Sequence, residues 1–466
     1  MSAMLKGRAV VMGGSVSGLT AARVLADFFE EVVIVEKDSL PDGPEVRQGT
    51  PQARQIHILL ARGGQILDGL FPGLIQDLQE GGAVPLDSGA GVWYHNGTWR
   101  RRIQSGITTY LQTRPFLEWK VRTHVSRLPN VRILSQRAVV GLTWNEEKSV
   151  VTGVELADGQ RLSAELVVDA SGRGSRVPQW LEQAGYPAVP VSSLKIDIGY
   201  VTRAYRLPSN FRAWPWILVN DGIAQGRLAG LSPVEGGQWL LILQGYGDAR
   251  PPADEDGLHA FLRSLPVPEL YETIRSAEPL SPIYPYRYPS YQRRHFERVA
   301  RHPEGLVVVG DAACSFNPIY GQGMTTGMLG AMALGDSLRS GGTRLTGLAG
   351  RFHRRLAPIL DVSWQMATLE DYGILGVPEG EPAGTGAKLW YTERAHRLTG
   401  LDDDVMLRFL KVMHMLEQPK ALFNPRTVWR VATAGGRSTT GRGMNVATRP
   451  DGQLSDPDHP SDRPAI

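Results

Sequence analysis

The sequence predicts an α/β protein in three parts. A Rossmann-like domain is built from discontinuous segments, an antiparallel β-sheet domain is inserted between them, and a C-terminal helical region follows. Three observations carry this reading. Residues 8–36 run strand, Gly-rich turn, helix, strand, which is a βαβ unit with a parallel pair and a crossover helix. A second buried strand, Leu306–Val309, ends in Gly310-Asp311 ahead of another Gly-rich turn and a long helix. Between them, residues 190–290 are rich in strand-forming segments.

The chain has 466 residues, 42% of them hydrophobic and 21% charged, and a single Cys. That length buries a core without covalent staples. One Cys excludes an intramolecular disulfide framework and a Cys-ligated zinc site. The ten His are scattered, so no metal site is expected. Lys and Arg total 50 against 47 Asp and Glu, and this balance gives no reason to expect a nucleic-acid partner. No run of apolar residues is long enough to span a membrane, and the first residues carry no signal-peptide core, so a soluble, cytoplasmic protein is expected. Arg100-Arg101-Arg102, the tightest basic run before the tail, reads as a solvated strand end.

The elements follow in order. Residues 8–13 form a buried strand, and Leu19, Ala22, Val24 and Leu25 mark a helical face. Val32–Val35 is the second strand and ends at Glu36. Residues 39–52 read as a loop and 53–70 as a helix. Asn96-Gly97 between Val92-Trp93-Tyr94 and Thr98-Trp99 signals a hairpin. A helix is expected from Phe116 to Val125, and several strands over 137–168. In the inserted region Ile196–Arg206, Trp216–Val219 and Trp239–Leu243 are candidate strands, and Asp254 caps a helix reaching Leu265. A long helix covers about 323–338, residues 345–435 are mostly helical, and the polar stretch 435–466 is expected to be a disordered tail.

Gly13, Gly14, Ser15 and Gly18 occupy the phosphate-binding turn of a G-x-G-x-x-G pattern, with Ser15 at the second glycine. Glycine there permits a tight turn and close approach of backbone to a pyrophosphate, while the helix N-terminus offers N–H groups to the phosphates. Glu36, at the end of the second strand, stands where an acid accepts a hydrogen bond from an adenosine ribose, and its charge disfavours a 2′-phosphate.

Gly310-Asp311, followed by Pro318-Ile319-Tyr320-Gly321-Gln322-Gly323-Met324, resembles the FAD-dependent monooxygenases of the para-hydroxybenzoate hydroxylase class. The resemblance implies an FAD cofactor. Asp311 would bind the ribityl chain, and Pro318, Gly321, Gly323 and Met324 would lie against the isoalloxazine. Arg114, with Leu117, resembles the family's Arg-x-x-Leu segment that approaches the cofactor. Arg47, in a Pro-Gln loop that includes His57, would contact the flavin phosphate or ring edge. Asp169-Ala170-Ser171-Gly172 replaces the family's middle motif. Asp169 is carried over as a cofactor contact, but the altered spelling puts direct NAD(P)H use in doubt and leaves a separate flavin reductase as the other electron donor. Cys314 reads as a small buried hydrophobe.

The resemblance spans residues 8–340 as ordered motifs. It implies an FAD-binding domain from 1–75, 106–185 and 295–342, and a substrate domain from 76–105 and 186–294. A helical region, 343–434, follows. The chain looks similar to flavin epoxidases of polyether pathways and to FAD-containing Diels–Alder cyclases of spirotetronate pathways. The first implies oxygen transfer to an apolar polyketide- or terpenoid-like substrate through a flavin C4a-hydroperoxide. The second implies a redox-neutral cyclisation with FAD as scaffold. Trp214-Pro215-Trp216-Ile217-Leu218 departs from the flavin-halogenase pattern, and no Lys lies between Lys37 and Lys120 where the halogenase lysine would fall, so halogenation is not expected. Trp93, Tyr94, Trp99, Trp214, Trp216 and Tyr246 are candidate walls of the substrate site, and no catalytic acid–base pair is evident.

Overall fold

In the computed structural model, which describes residues 5–342 and 344–433, the expected βαβ unit opens a five-stranded parallel sheet. Its order is Leu306–Val308, Leu166–Asp169, Leu5–Met12, Phe29–Val35 and Val131–Leu134. The Val-rich runs suit this position because both faces are covered, so continuous apolar strands replace alternation. Val10, Val11, Val33, Ile34 and Val167 are fully buried. The helix Val16–Leu25 and the long helix Gly323–Gly341 pack on the sheet within one continuous core. A separate antiparallel sheet contains Val139–Trp144, Val151–Leu156 and Arg161–Ser163.

The inserted domain is an eight-stranded sheet around Val191–Arg206, backed by the helix Glu255–Arg263, whose Leu258 and Leu262 are fully buried. Asp254 caps that helix by accepting the Gly257 N–H at 2.8 Å. The Asn96-Gly97 hairpin forms, with both residues at positive φ as a tight two-residue turn demands. One pairing departs from the antiparallel expectation. Val92–His95 runs parallel to Ile217–Asp221, because it reaches the sheet from a distant part of the chain rather than by a hairpin.

One local expectation is corrected, and two strands add to those expected. Residues 53–70 are not one helix: a short turn at Pro51–Arg54 gives way to extended backbone, and the helix begins at Ala61. Tertiary bonds explain this, since the Leu59 carbonyl accepts from Thr109 Oγ1 at 2.6 Å and Gln55 Oε1 accepts from Thr202 Oγ1. The strands Arg227–Pro233 and Tyr284–Arg294 were not anticipated. The first contains Gly230 and ends in Pro. The second contains Pro285 and Pro289, which it tolerates because at those positions it pairs only with Val191–Arg206, its other edge bridging Cys314 further on at Arg293.

Val84–Asp87 pairs with Thr108–Leu111, tying together the two sides of the expected boundary at 105/106. After the Rossmann-like core come the helices Leu348–Leu375, Thr385–Leu398, Asp403–Met413 and Pro425–Thr433. The expected tail at 435–466 lies outside the described residues.

Candidate functional site: a dinucleotide crevice opening on an apolar cavity

The first glycine turn is built so that no side chain fits. Gly13 has φ +106°, and a Cβ there would lie 2.5 Å from the Ala170 carbonyl oxygen. A Cβ on Gly18 would lie 1.9 Å from the Gly13 carbonyl oxygen, so strand and helix meet at contact distance. Ser15 caps the helix without a side-chain cap bond, and no acid occupies its first turn. The free N–H groups of that turn therefore face no negative side chain of their own helix.

The other motifs converge on the same helix start. Cβ atoms on Gly310 or Gly327 would lie 2.7 and 2.1 Å from Ser17 Oγ, which places Asp311 and the long helix against the phosphate turn. The Asp311 side chain is open to solvent yet surrounded by protein, and none of the described residues donates a hydrogen bond to it. Burial raises its pKa, and the charges of Arg114 and Arg173 oppose that rise. An unpartnered carboxylate at the mouth of a crevice is chemistry suited to hydroxyl groups of a bound chain. Arg114 donates from Nη2 to Ser15 Oγ at 2.7 Å, and its charge is felt at both Asp311 and His57. It therefore holds the phosphate turn directly and reaches the Asp311 carboxylate through its charge alone. Burial, then Arg114, lowers the His57 pKa to about 3, and its Nδ1–H pairs with the Gln55 carbonyl at 2.8 Å.

Glu36 is buried and accepts from the Gly14 N–H at 2.8 Å and the Asp38 N–H at 3.0 Å. A carboxylate has about four acceptor sites, so capacity remains for a ribose hydroxyl. Arg47, expected at the flavin phosphate or ring edge, has its side chain enclosed by carboxylates. Its guanidinium is caged by Glu36 at 3.2 Å, Asp38 at 3.0 Å and Glu118 at 2.7 Å, at the adenosine end. Asp169 is corrected. Both its oxygens are engaged within its own turn, by Ser171 N and Oγ and by Ser175 Oγ, and it is fully buried, so it anchors the turn rather than facing a cofactor. The Met324 side chain packs into the main core. Cys314 is 1% exposed, and burial pushes its thiol pKa well up, as a small core residue requires.

The Pro318–Tyr320 turn, closed by Gly321 at φ +64°, is gripped by a buried polar cage. Asp371, on Leu348–Leu375, accepts from Tyr246 Oη at 2.7 Å, Asn317 Nδ2 at 2.8 Å, Tyr291 Oη at 2.8 Å and Tyr320 Oη at 3.0 Å. Tyr246 is thus part of this cage and not a substrate wall. The other face of the turn, Ile319 to Gln322, lines a cavity of about 650 Å³ between the inserted sheet and the C-terminal helices. Trp93 and Trp216 line it too, meeting edge to face at 6.2 Å. Trp214 does not. It packs against Phe211 and Trp239 in the core of the inserted domain, where Tyr94 and Trp99 also pack.

Sequence reasoning missed a polar cluster in this cavity. Glu370 Oε1 lies 2.7 Å from His396 Nε2, and His396 Nδ1 lies 2.8 Å from Arg100 Nη2. His95 stacks on His396 at 4.5 Å. Arg100, expected on a solvated strand end, is 5% exposed, because helices distant in sequence close over it. Among the described residues, no group of three or more His, Cys, Asp or Glu is placed to hold a metal, and no helix is long and apolar enough to cross a membrane.

Comparisons with known proteins agree with this crevice. The family model for FAD dependent oxidoreductases matches residues 9–180. Protein Rv3254 of Mycobacterium tuberculosis is 34% identical over 381 residues, covering 78% of this chain and 80% of that one. The chain belongs to the FAD-dependent oxidoreductase family. Kynurenine 3-monooxygenase of Salinispora tropica is 23% identical over 395 residues, covering 78% of this chain and 79% of its own. Among solved structures, the flavin-dependent brominase Bmp2 superposes with a TM-score of 0.67 at 14% identity, covering 92% of this chain and 98% of that one, so it shares the fold. The residues present suit such a cofactor: Glu36 would take the ribose, the Gly13–Gly18 turn the pyrophosphate, Asp311 the ribityl hydroxyls, and the Pro318–Gly323 turn the ring.

Proposed function

We propose that this flavoprotein is a monooxygenase that inserts one oxygen atom, by epoxidation or hydroxylation, into an apolar natural-product-like substrate. The observation that carries the reading is the cavity of about 650 Å³, walled by Trp93, Trp216, Leu228 and Met413, that ends on the Ile319–Gln322 turn. That volume is in the range of small-molecule sites. FAD bound at the turn would supply the electrons that activate oxygen. The chain's own part is to hold an apolar molecule against the turn and to exclude water. The Asp371 cage fixes the turn, and the aromatic wall fixes the substrate. Electrons would come from NAD(P)H or from a separate flavin reductase.

The test is incubation of FAD-loaded protein with a panel of polyenes and aromatics under isotopically labelled oxygen, with NAD(P)H alone or with a flavin reductase. A product carrying one labelled atom is the expected result. Turnover without oxygen and without reductant would contradict it and identify a redox-neutral cyclase.

A further inference from the structure

We propose that Arg100 is a recognition site for a carboxylate, so that the substrate is an apolar molecule bearing one anionic oxygen group. The inference rests on reading the cavity as the substrate site.

Arg100 lines the cavity and is 5% exposed. Its guanidinium lies 4.0 Å from each of the Trp93 and Phe409 rings, which meet edge to face and enclose it on two adjoining sides. Only one donor group is used. Nη2 donates to His396 Nδ1, while Nε and Nη1 are buried with no hydrogen-bond partner. An arginine can only donate, so His396 Nδ1 is an acceptor and the ring carries its proton on Nε2, which donates to Glu370. The Glu370 charge therefore reaches Arg100 only across the His396 ring.

Among the described residues, Glu370 is the one carboxylate whose charge acts on Arg100. Burial holds the His95 pKa well below the usual imidazole range, with the Arg100 charge acting the same way, and His95 Nδ1 is itself unpartnered. Burial draws the Arg100 pKa down to about 9, with Glu370 only partly opposing it. The positive charge is thus under-compensated inside a largely apolar cavity. A buried arginine with a partly unused fork suits a carboxylate, which accepts charge-assisted bonds in that geometry. In a purely structural role, clamping the strand end to Thr385–Leu398, these two donors would have protein acceptors.

The test uses FAD-loaded full chain with cis-parinarate, a fluorescent tetraene carboxylate, and its methyl ester, which keeps the carbonyl and loses the charge. The acid should bind roughly tenfold or more tighter than the ester. Arg100→Met should abolish that preference with FAD content unchanged. Glu370→Gln, which removes the internal counter-charge, should widen it. Equal binding of acid and ester, failure of the acid to bind, or a preference that survives Arg100→Met overturns the proposal. If Arg100→Met does not fold, Glu370→Gln decides, and an unchanged or narrowed preference overturns it. Binding needs neither reductant nor oxygen. A chain that prefers the acid but oxygenates nothing contradicts the oxygenase reading and leaves the anion site standing.

Discussion

The amide of Asn317 donates from Nδ2 to Asp371 Oδ1 at 2.8 Å, and with the Tyr320 hydroxyl on the same oxygen it joins the turn beside the expected flavin ring to the first C-terminal helix. Tyr246 Oη accepts from the same amide group at 2.9 Å, and Tyr200 donates to Asn317 Oδ1 at 3.1 Å. The turn is thus held from the inserted sheet and the helical region at once. Burial raises the Asp371 pKa, and the four donors around it pull the other way.

Asp371→Asn should therefore loosen the turn. The neutral amide loses charge-assisted bonds and brings a competing donor, at a cost of about 2–4 kcal/mol by denaturant unfolding. FAD retention after dialysis should fall. Tyr291→Phe removes one donor that does not touch the turn, and should lower stability by about 1–2 kcal/mol with FAD retained. Equal FAD loss in both variants would show that the cage does not act through the turn.

The wall of the cavity is set by a glycine. A Cβ on Gly91 would lie 1.9 Å from Trp216 Cε2, inside the indole. Gly91→Ala should displace Trp216 and reshape the cavity. Affinity for apolar ligands should change several-fold, while the visible flavin spectrum and FAD content stay as they are. Unchanged ligand binding, measured by fluorescence titration, would mean that Trp216 does not bound the site.

Two buried histidines make stability acid-sensitive. His353 Nε2 accepts the Val308 N–H, and His414 Nδ1 accepts the Ala61 N–H. Burial lowers their pKa values to about 3 and about 4, from 6.5. Below about pH 6.5 the unfolded chain binds these protons, and the folded chain does so only nearer pH 4 and 3. Stability should therefore fall as pH falls through that window, by about 1.4 kcal/mol per pH unit for each ring. The denaturation midpoint at pH 7 and pH 4.5 measures this, and His414→Gln should flatten the slope. A slope identical in variant and wild type would contradict the account.

The parts of the fold that were legible in the sequence are those fixed by local chemistry. Gly13 and Gly18 announce contact-distance packing, Asn96-Gly97 a tight hairpin, and Asp254 a helix start. The missed parts depend on partners far along the chain. Leu59 leaves the expected helix because Thr109 takes its carbonyl. Arg100 lies next to Arg101, whose ion pair with Asp403 is exposed, so the basic run gives no sign that its first member is buried. Glu370 and His396 lie on two different helices and have no spacing that marks a pair. Trp214 and Trp216 are two residues apart, yet one faces the core and the other the cavity, which composition cannot distinguish.

The most direct test of the central claim is the visible spectrum of freshly purified protein after dialysis, compared with Gly18→Ala and Asp311→Ala. Wild type should carry close to one FAD per chain. Gly18→Ala, with its methyl group forced against the Gly13 carbonyl, should lose FAD and stability together. Asp311→Ala should stay folded, since no described residue depends on that carboxylate for a hydrogen bond, and should release FAD. A folded, colourless wild type that takes up no added FAD would contradict the account, as would an Asp311→Ala protein that stays fully yellow.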